Sequence, residues 1–171
     1  MIPINNPLAL ALLAGVLFGI WPYAMDKSGL KGISAPTAFL IFQTLVLLLL
    51  TVNDDSRKGN RYMVWITGAL VVIITIFVMI KWTHEVSNWS PIAIAGFCGG
   101  MGLWSTSRML DIVKSMNDAD RIRPTYLVTI FVMQVAVSVL VFVYQNPKDI
   151  SIGKFIGYVL ASLGVILMHK G

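Results

Sequence analysis

The sequence predicts an all-α protein that is integral to a membrane. Of its 171 residues, 57% are hydrophobic and 12% are charged. That charged share is about half of the roughly 25% that soluble domains carry. The apolar residues are gathered into segments of helix length that are separated by short polar stretches. Because a helix needs about 20 mostly apolar residues to cross the hydrocarbon core, these segments predict transmembrane helices.

Six segments approach this length, and we expect them to form one transmembrane helical domain over residues 1–171. Polar or charged residues bound each segment, as is typical of loops at a membrane surface. The predicted spans are Leu8 to Met25, Ala35 to Val52, Tyr62 to Ile80, Pro91 to Leu110, Thr125 to Tyr144 and Ile152 to Met168.

The first three segments differ in their polar content. The first carries Gly15 and Gly19, a spacing that lets a neighbouring helix backbone approach closely. Near its end, Trp21 and the following proline either wall a pocket or mark the interface. The second contains Gln43 within its apolar run. The third contains nothing more polar than two threonines, so we expect it to face lipid.

The fourth segment has the largest number of glycines and the one arginine inside a predicted span. Gly96 and Gly100 repeat the four-residue spacing of the first segment. Trp104, Arg108 and Asp111 follow on one helix face. Arg108 either pairs with Asp111 at the cytoplasmic interface, or lines a water-filled cavity where it meets an anionic or polar solute.

The last two segments complete the predicted bundle. In the fifth, Gln134 and Ser138 share one face. Like Gln43, Gln134 must either form a hydrogen bond to another helix or point into a cavity. The sixth is short and carries Lys154 near its start, and Gly157, Ala161 and Gly164 give it a third face for close packing.

Charge and cysteine usage exclude several classes of protein. The net charge of +5 is attributed to cytoplasmic loops that lie against anionic headgroups, and we expect no nucleic-acid binding. The lone Cys98 excludes a disulfide framework, and no spacing of His and Cys suggests a metal site. No catalytic or cofactor-binding motif is found, so neither enzymatic activity nor a cofactor is expected.

Parts of the chain resemble the drug/metabolite transporter superfamily, in particular its EamA-like repeat. Leu110 to Asp120, with the Arg123-Pro124-Thr125 that follows, is similar to the link into the penultimate helix of that family. Gly153 to Val165 is similar to its closing helix, and Leu17 to Leu40 resembles its first helix and the turn into the second. Full-length members have ten spans in two inverted repeats. The resemblance therefore implies that a second copy or a partner chain supplies the facing half of the cavity.

We therefore expect a transporter that moves a small organic solute by alternating access, as a dimer in a bacterial inner membrane. Both termini are predicted to be cytoplasmic, because that side of a six-span protein carries eight Lys and Arg residues against five. An alternative is a non-transporting membrane subunit that assembles a larger complex. The predicted solute-binding residues are Trp21, Tyr23, Gln43, Trp104, Arg108 and Gln134, with the aromatic residues as walls and Arg108 or the glutamines as hydrogen-bonding groups.

Overall fold

The computed structural model describes residues 5–29, 34–52, 61–82 and 89–145, with a few further positions between 151 and 160. All regular secondary structure in these ranges is α-helical, which confirms the all-α part of the predicted fold class. The helices are α1 (Pro7–Asp26), α2 (Ser34–Val52), α3 (Arg61–Trp82), α4 (Ser90–Lys114) and α5 (Ala119–Gln145).

These helices coincide with the first five segments predicted from hydropathy. Each helix is slightly longer than its apolar segment, most clearly at the end of α4 and the start of α5, where polar residues continue the helix. Most of the sixth segment, Ile152 to Met168, lies outside the described residues, and so do Lys154, Ala161 and Gly164. A six-span membrane protein therefore remains a prediction.

The ends of α1 show how the sequence sets the limits of a helix. The side-chain Oδ1 of Asn6 accepts hydrogen bonds from the backbone N–H of Leu8 at 2.9 Å and of Ala9 at 3.3 Å. This N-cap provides acceptors for N–H groups that the helix itself leaves unpaired. After α1 the chain turns at Gly29, whose φ of +73° is disfavoured for residues with a side chain.

Two of the described helices, α1 and α5, are long and apolar enough to cross a bilayer. The described parts of α2 and α3 contain shorter apolar stretches, Thr37–Thr51 and Ile66–Phe77. By length and composition, the structure supports an association with a membrane.

Contacts divide the chain into two compact units. The first unit comprises Met1–Ile20 and Ser105–Gly171, and the second comprises Trp21–Trp104. Helices α1 and α4 therefore contribute residues to both units. The predicted single domain over residues 1–171 stays a prediction.

In the first unit, α1 and α5 pack closely and in parallel. A Cβ added at Gly15 would lie 2.5 Å from the Cβ of Met133 and 2.6 Å from the backbone oxygen of Ile130. A Cβ added at Gly19 would lie 2.6 Å from the Cβ of Val137. Residue numbers rise together along the two helices, which shows that they run in the same direction. The close packing predicted at these two glycines is confirmed.

In the second unit, α4 and α2 form a parallel pair of the same kind. A Cβ added at Gly96 would overlap the Cβ of Phe42 and lie 2.9 Å from its backbone carbon. At Gly100, an added Cβ would lie 2.7 Å from the backbone oxygen of Gln43 and 2.8 Å from the Cβ of Val46. The packing predicted for this glycine pair is therefore confirmed as well. At Gly157 in the sixth segment, by contrast, no described atom lies within 4 Å of an added Cβ.

Helix α3 contacts α2 and exposes most of its described side chains. Thr75 is the one side chain of α3 that is buried among those described, and its hydroxyl donates to the Val71 backbone oxygen at 2.7 Å. On the opposite side lies a stripe of large apolar residues that are between 58% and 69% exposed. The α3 stripe consists of Ile66, Leu70, Ile73, Phe77 and Ile80.

Candidate functional site

The six predicted site residues are distributed over both units. Trp21, Tyr23, Gln43 and Trp104 belong to the second unit, whereas Arg108 and Gln134 belong to the first.

An aromatic stack joins the end of α1 to α2. The rings of Trp21 and Phe39 are nearly parallel, with centroids 4.5 Å apart and an interplanar angle of 20°. Beside this stack lie the buried alanines Ala24 of α1 and Ala95 of α4. Trp21 is therefore held where α1, α2 and α4 meet. The sequence did not single out Phe39, although it lies one helical turn before Gln43 on the same face of α2.

The side chain of Gln43 lies beside this stack, against a glycine of α4. A Cβ added at Gly99 would lie 2.8 Å from Cζ of Phe39 and 3.0 Å from Oε1 of Gln43. The ring of Phe39 and the carboxamide of Gln43 therefore both lie against the α4 backbone at Gly99. We call Trp21, Phe39, Gln43 and Gly99 the aromatic–amide cluster.

The carboxamide of Gln43 is half-buried, and the described part of the chain offers it no hydrogen bond. An amide inside an apolar helix either bonds to another helix or points into a cavity where water or a solute can reach it. No bond from this carboxamide to another helix is found among the described residues, and the cavity stays a prediction.

Trp104 is buried, with 9% of its surface exposed, and its indole N–H has no hydrogen-bond partner among the described residues. It follows Gly100 by one turn, on the face of α4 that packs against α2. A buried donor without an acceptor costs about 1–3 kcal/mol. The Trp104 side chain is thus positioned to donate a hydrogen bond that the described protein atoms leave unmade.

Tyr23 does not join the aromatic–amide cluster. It is two residues from Trp21, and side chains at this spacing point to different sides of a helix. The ammonium of Lys27 lies 5.5 Å from the centroid of the Tyr23 ring, within the range of a cation–π contact. The structure therefore places Tyr23 at the polar end of α1 and pairs it with a cation.

In the first unit, Arg108 lies well inside α4, which continues to Lys114. Its side chain is half-buried, and that of Asp111 is exposed. Both residues interact with neighbours, so neither side chain is free. The two interpretations of Arg108, as an interface residue or as a cavity residue, remain open.

Gln134 lies where α5 meets α1. Its backbone oxygen would be 2.9 Å from a Cβ added at Gly19, and its own carboxamide has no hydrogen bond from the residues that are described. Ser138, one turn later, donates from Oγ to the backbone oxygen of Gly19 at 3.3 Å. Of these two polar groups on one face, the serine forms the bond between helices.

Charged groups are absent from the interior of the second unit as far as its side chains are described. The charged side chains there are Asp26, Lys27 and Lys81, and all three are exposed near helix ends. No group of three or more His, Cys, Asp or Glu residues suited to a metal occurs in the described ranges. The aromatic–amide cluster therefore offers apolar surface and hydrogen bonds but no charge.

Comparison with known proteins assigns no family to the chain. No family model matches it, and neither a curated protein nor a solved structure does. The resemblance to the drug/metabolite transporter superfamily therefore remains a prediction.

Proposed function

We propose that the chain is an integral membrane transporter of the EamA-like type that moves a small organic solute by alternating access. The proposal depends mainly on the environment of the Gln43 carboxamide. The carboxamide sits within an apolar helix, beside an aromatic stack, with no hydrogen bond from the described residues. In a bilayer such a group is costly unless water or a solute reaches it, so polar groups at this depth typically mark a solute pathway.

The exposed surface supports a membrane location. The α3 stripe presents five large apolar side chains along one continuous helix face. Contiguous apolar patches of this kind are rare on soluble monomers, because each exposed side chain forgoes about 1.5–3 kcal/mol of burial. In a bilayer the acyl chains cover the same face at no such cost.

The directions of the helices support several crossings. Helices α1 and α5 run parallel, and so do α2 and α4. Parallel alignment of helices two or four positions apart in the chain is expected when each successive helix crosses the membrane in the opposite direction. A six-span topology with both termini cytoplasmic extends this alternation to Ile152 to Met168.

Within this proposal, Trp21 walls the site, and Gln43 and Trp104 form hydrogen bonds to the solute. Arg108 and Gln134, which belong to the other unit, stay sequence-based predictions of solute contacts, and a second copy of the chain would provide the facing half of the cavity. Tyr23, which pairs with Lys27, would lie at the mouth rather than at the centre.

Uptake by proteoliposomes tests the proposal. The purified chain would be assayed with a panel of radiolabelled neutral amino acids, nucleosides and aromatic amides, against liposomes without protein. We expect saturable uptake of at least one class of solute, and a loss of roughly tenfold in Gln43→Ala, equivalent to about 1.4 kcal/mol.

Thr44→Ala is the matched control for this experiment, because the Thr44 hydroxyl bonds within α2 to the Leu40 backbone oxygen at 2.7 Å. It should keep wild-type uptake. Equal uptake by Gln43→Ala and the wild type would remove Gln43 from the site. No uptake of any panel member above that of the empty liposomes would count against transport itself.

A second candidate function is a non-transporting subunit of a larger membrane complex. The α3 stripe favours it, because the same exposed face that lipid can cover could also dock onto another transmembrane helix. The mass of the gently solubilised particle separates the two functions. A homodimer fits the transporter, whereas a stable assembly with other chains fits the subunit.

A further inference from the structure

Three glycines on α4 face α2, and they differ in what they touch. Gly96 and Gly100 lie against backbone and Cβ atoms of Phe42, Gln43 and Val46. Gly99 lies instead against the outer ends of two side chains, the ring of Phe39 and Oε1 of Gln43. The helix pair therefore needs Gly96 and Gly100 for close approach of the backbones, whereas Gly99 plays no such part.

The lack of a side chain at Gly99 decides where Phe39 and Gln43 lie. A methyl group there would stand 2.8 Å from the ring and 3.0 Å from the carboxamide oxygen, so the outer ends of both side chains would have to shift. Alanine at this position would therefore move the polar and aromatic groups of the aromatic–amide cluster while the helix backbones keep their places.

The chemistry of the cluster limits what it can bind. The Trp21–Phe39 stack offers flat apolar surface, and the carboxamide of Gln43 can both donate and accept a hydrogen bond. The described interior of this unit holds no charged side chain, and burying an ion without a counter-charge is very costly.

We propose that the aromatic–amide cluster binds an uncharged solute that combines a planar ring with a carboxamide-like group, and that Gly99 is the residue that shapes this site. This inference rests on the proposed transport function, since it names the class of solute and adds a specificity-determining residue. The solute ring lies against the aromatic stack, and its carboxamide-like group pairs with the carboxamide of Gln43.

A matched pair of probes tests the charge requirement. Nicotinamide and nicotinate share one ring and differ in that the second carries a carboxylate at neutral pH. Equilibrium dialysis against the full chain in lipid nanodiscs measures both at millimolar concentration, the range in which ligands of this size bind. We expect nicotinamide to bind and nicotinate to bind at least roughly tenfold more weakly. Equal binding of the two, or no binding of nicotinamide, overturns the proposed class of solute.

Two glycine variants test the role of Gly99. Gly99→Ala should weaken nicotinamide binding roughly fivefold, the equivalent of about one lost hydrogen bond, while the thermal unfolding midpoint stays close to that of the wild type. Gly68→Ala on α3, where no described atom lies within 4 Å of an added Cβ, is the control and should bind like the wild type. Unchanged binding by Gly99→Ala, or a large fall in its midpoint, overturns the assignment.

These outcomes are distinct from failure of the proposed function. Uptake of some other solute without nicotinamide binding would leave transport standing and remove the solute class. Nicotinamide binding without uptake of any labelled solute would leave the site standing and remove transport.

Discussion

The two parallel helix pairs use the same packing device with different side-chain surroundings. In each pair, two glycines four residues apart on one helix meet a large residue, a glutamine and a valine on the other. The partner residues are Met133, Gln134 and Val137 against α1, and Phe42, Gln43 and Val46 against α4. In both pairs the glutamine backbone oxygen lies beside the second glycine, 2.9 Å from its added Cβ in the first unit and 2.7 Å in the second.

The pairs differ in what surrounds this shared device. In the first unit, Ser138 bonds to the backbone oxygen of Gly19 and ties the helices together. In the second unit a third glycine, Gly99, leaves room for the ring of Phe39 and the carboxamide of Gln43. The repeated glycine spacing thus serves packing in both units, and the additional glycine outside that spacing lets an aromatic ring and a carboxamide lie against the α4 backbone in one pair.

Gly96→Ala should break the second pair and have the largest effect on stability. The new methyl would overlap the Cβ of Phe42 and approach its backbone carbon, and α2 has little room to shift because it also contacts α3. Overpacking of this kind costs about 3 kcal/mol. Thermal unfolding in detergent micelles should show a marked fall in the midpoint. A midpoint within error of that of Gly68→Ala would mean that α2 and α4 do not pack as described.

Gly15→Ala should weaken the first pair by a smaller amount. Its methyl would meet the Cβ of Met133 at 2.5 Å and the backbone oxygen of Ile130 at 2.6 Å. Most of the described side chains of α5 are at least partly exposed, so this helix can move outward, and we expect a cost of about 2 kcal/mol. The same unfolding assay measures it. If Gly15→Ala lowered the unfolding midpoint more than Gly96→Ala does, the expectation that the first pair tolerates an added methyl better than the second would be wrong.

Hydropathy and glycine spacing predict much of this architecture. The positions of the first five segments, Gly15 with Gly19, and Gly96 with Gly100 all follow from local patterns, because span length and backbone approach are local requirements. The end of α4 and the start of α5 do not follow from these patterns. Hydropathy locates only the apolar part of a helix, and polar residues can continue the helix beyond it.

The candidate site is less accessible to sequence reasoning. Gln43 and Trp21 stand out as an amide and an aromatic residue in apolar runs, but Phe39 and Gly99 resemble ordinary packing residues. Their role depends on which faces of α2 and α4 pack together, and the local sequence does not show which faces these are. Tyr23 is a different case, because its spacing of two residues from Trp21 already places the two side chains on different sides of α1.

Ser138→Ala gives the smallest expected effect and sharpens the comparison between the pairs. It removes the hydrogen bond to the Gly19 backbone oxygen while leaving the glycine contacts in place. Hydrogen bonds between membrane helices contribute about 0.6 kcal/mol on average, so the unfolding midpoint should fall only slightly. Thr129→Ala on the same helix is the matched control, because the Thr129 hydroxyl bonds within α5 to the Thr125 backbone oxygen at 2.9 Å. If Ser138→Ala lowers the unfolding midpoint no more than Thr129→Ala does, the hydrogen bond from Ser138 to Gly19 does not stabilise the pair. The two pairs would then differ only in the presence of Gly99.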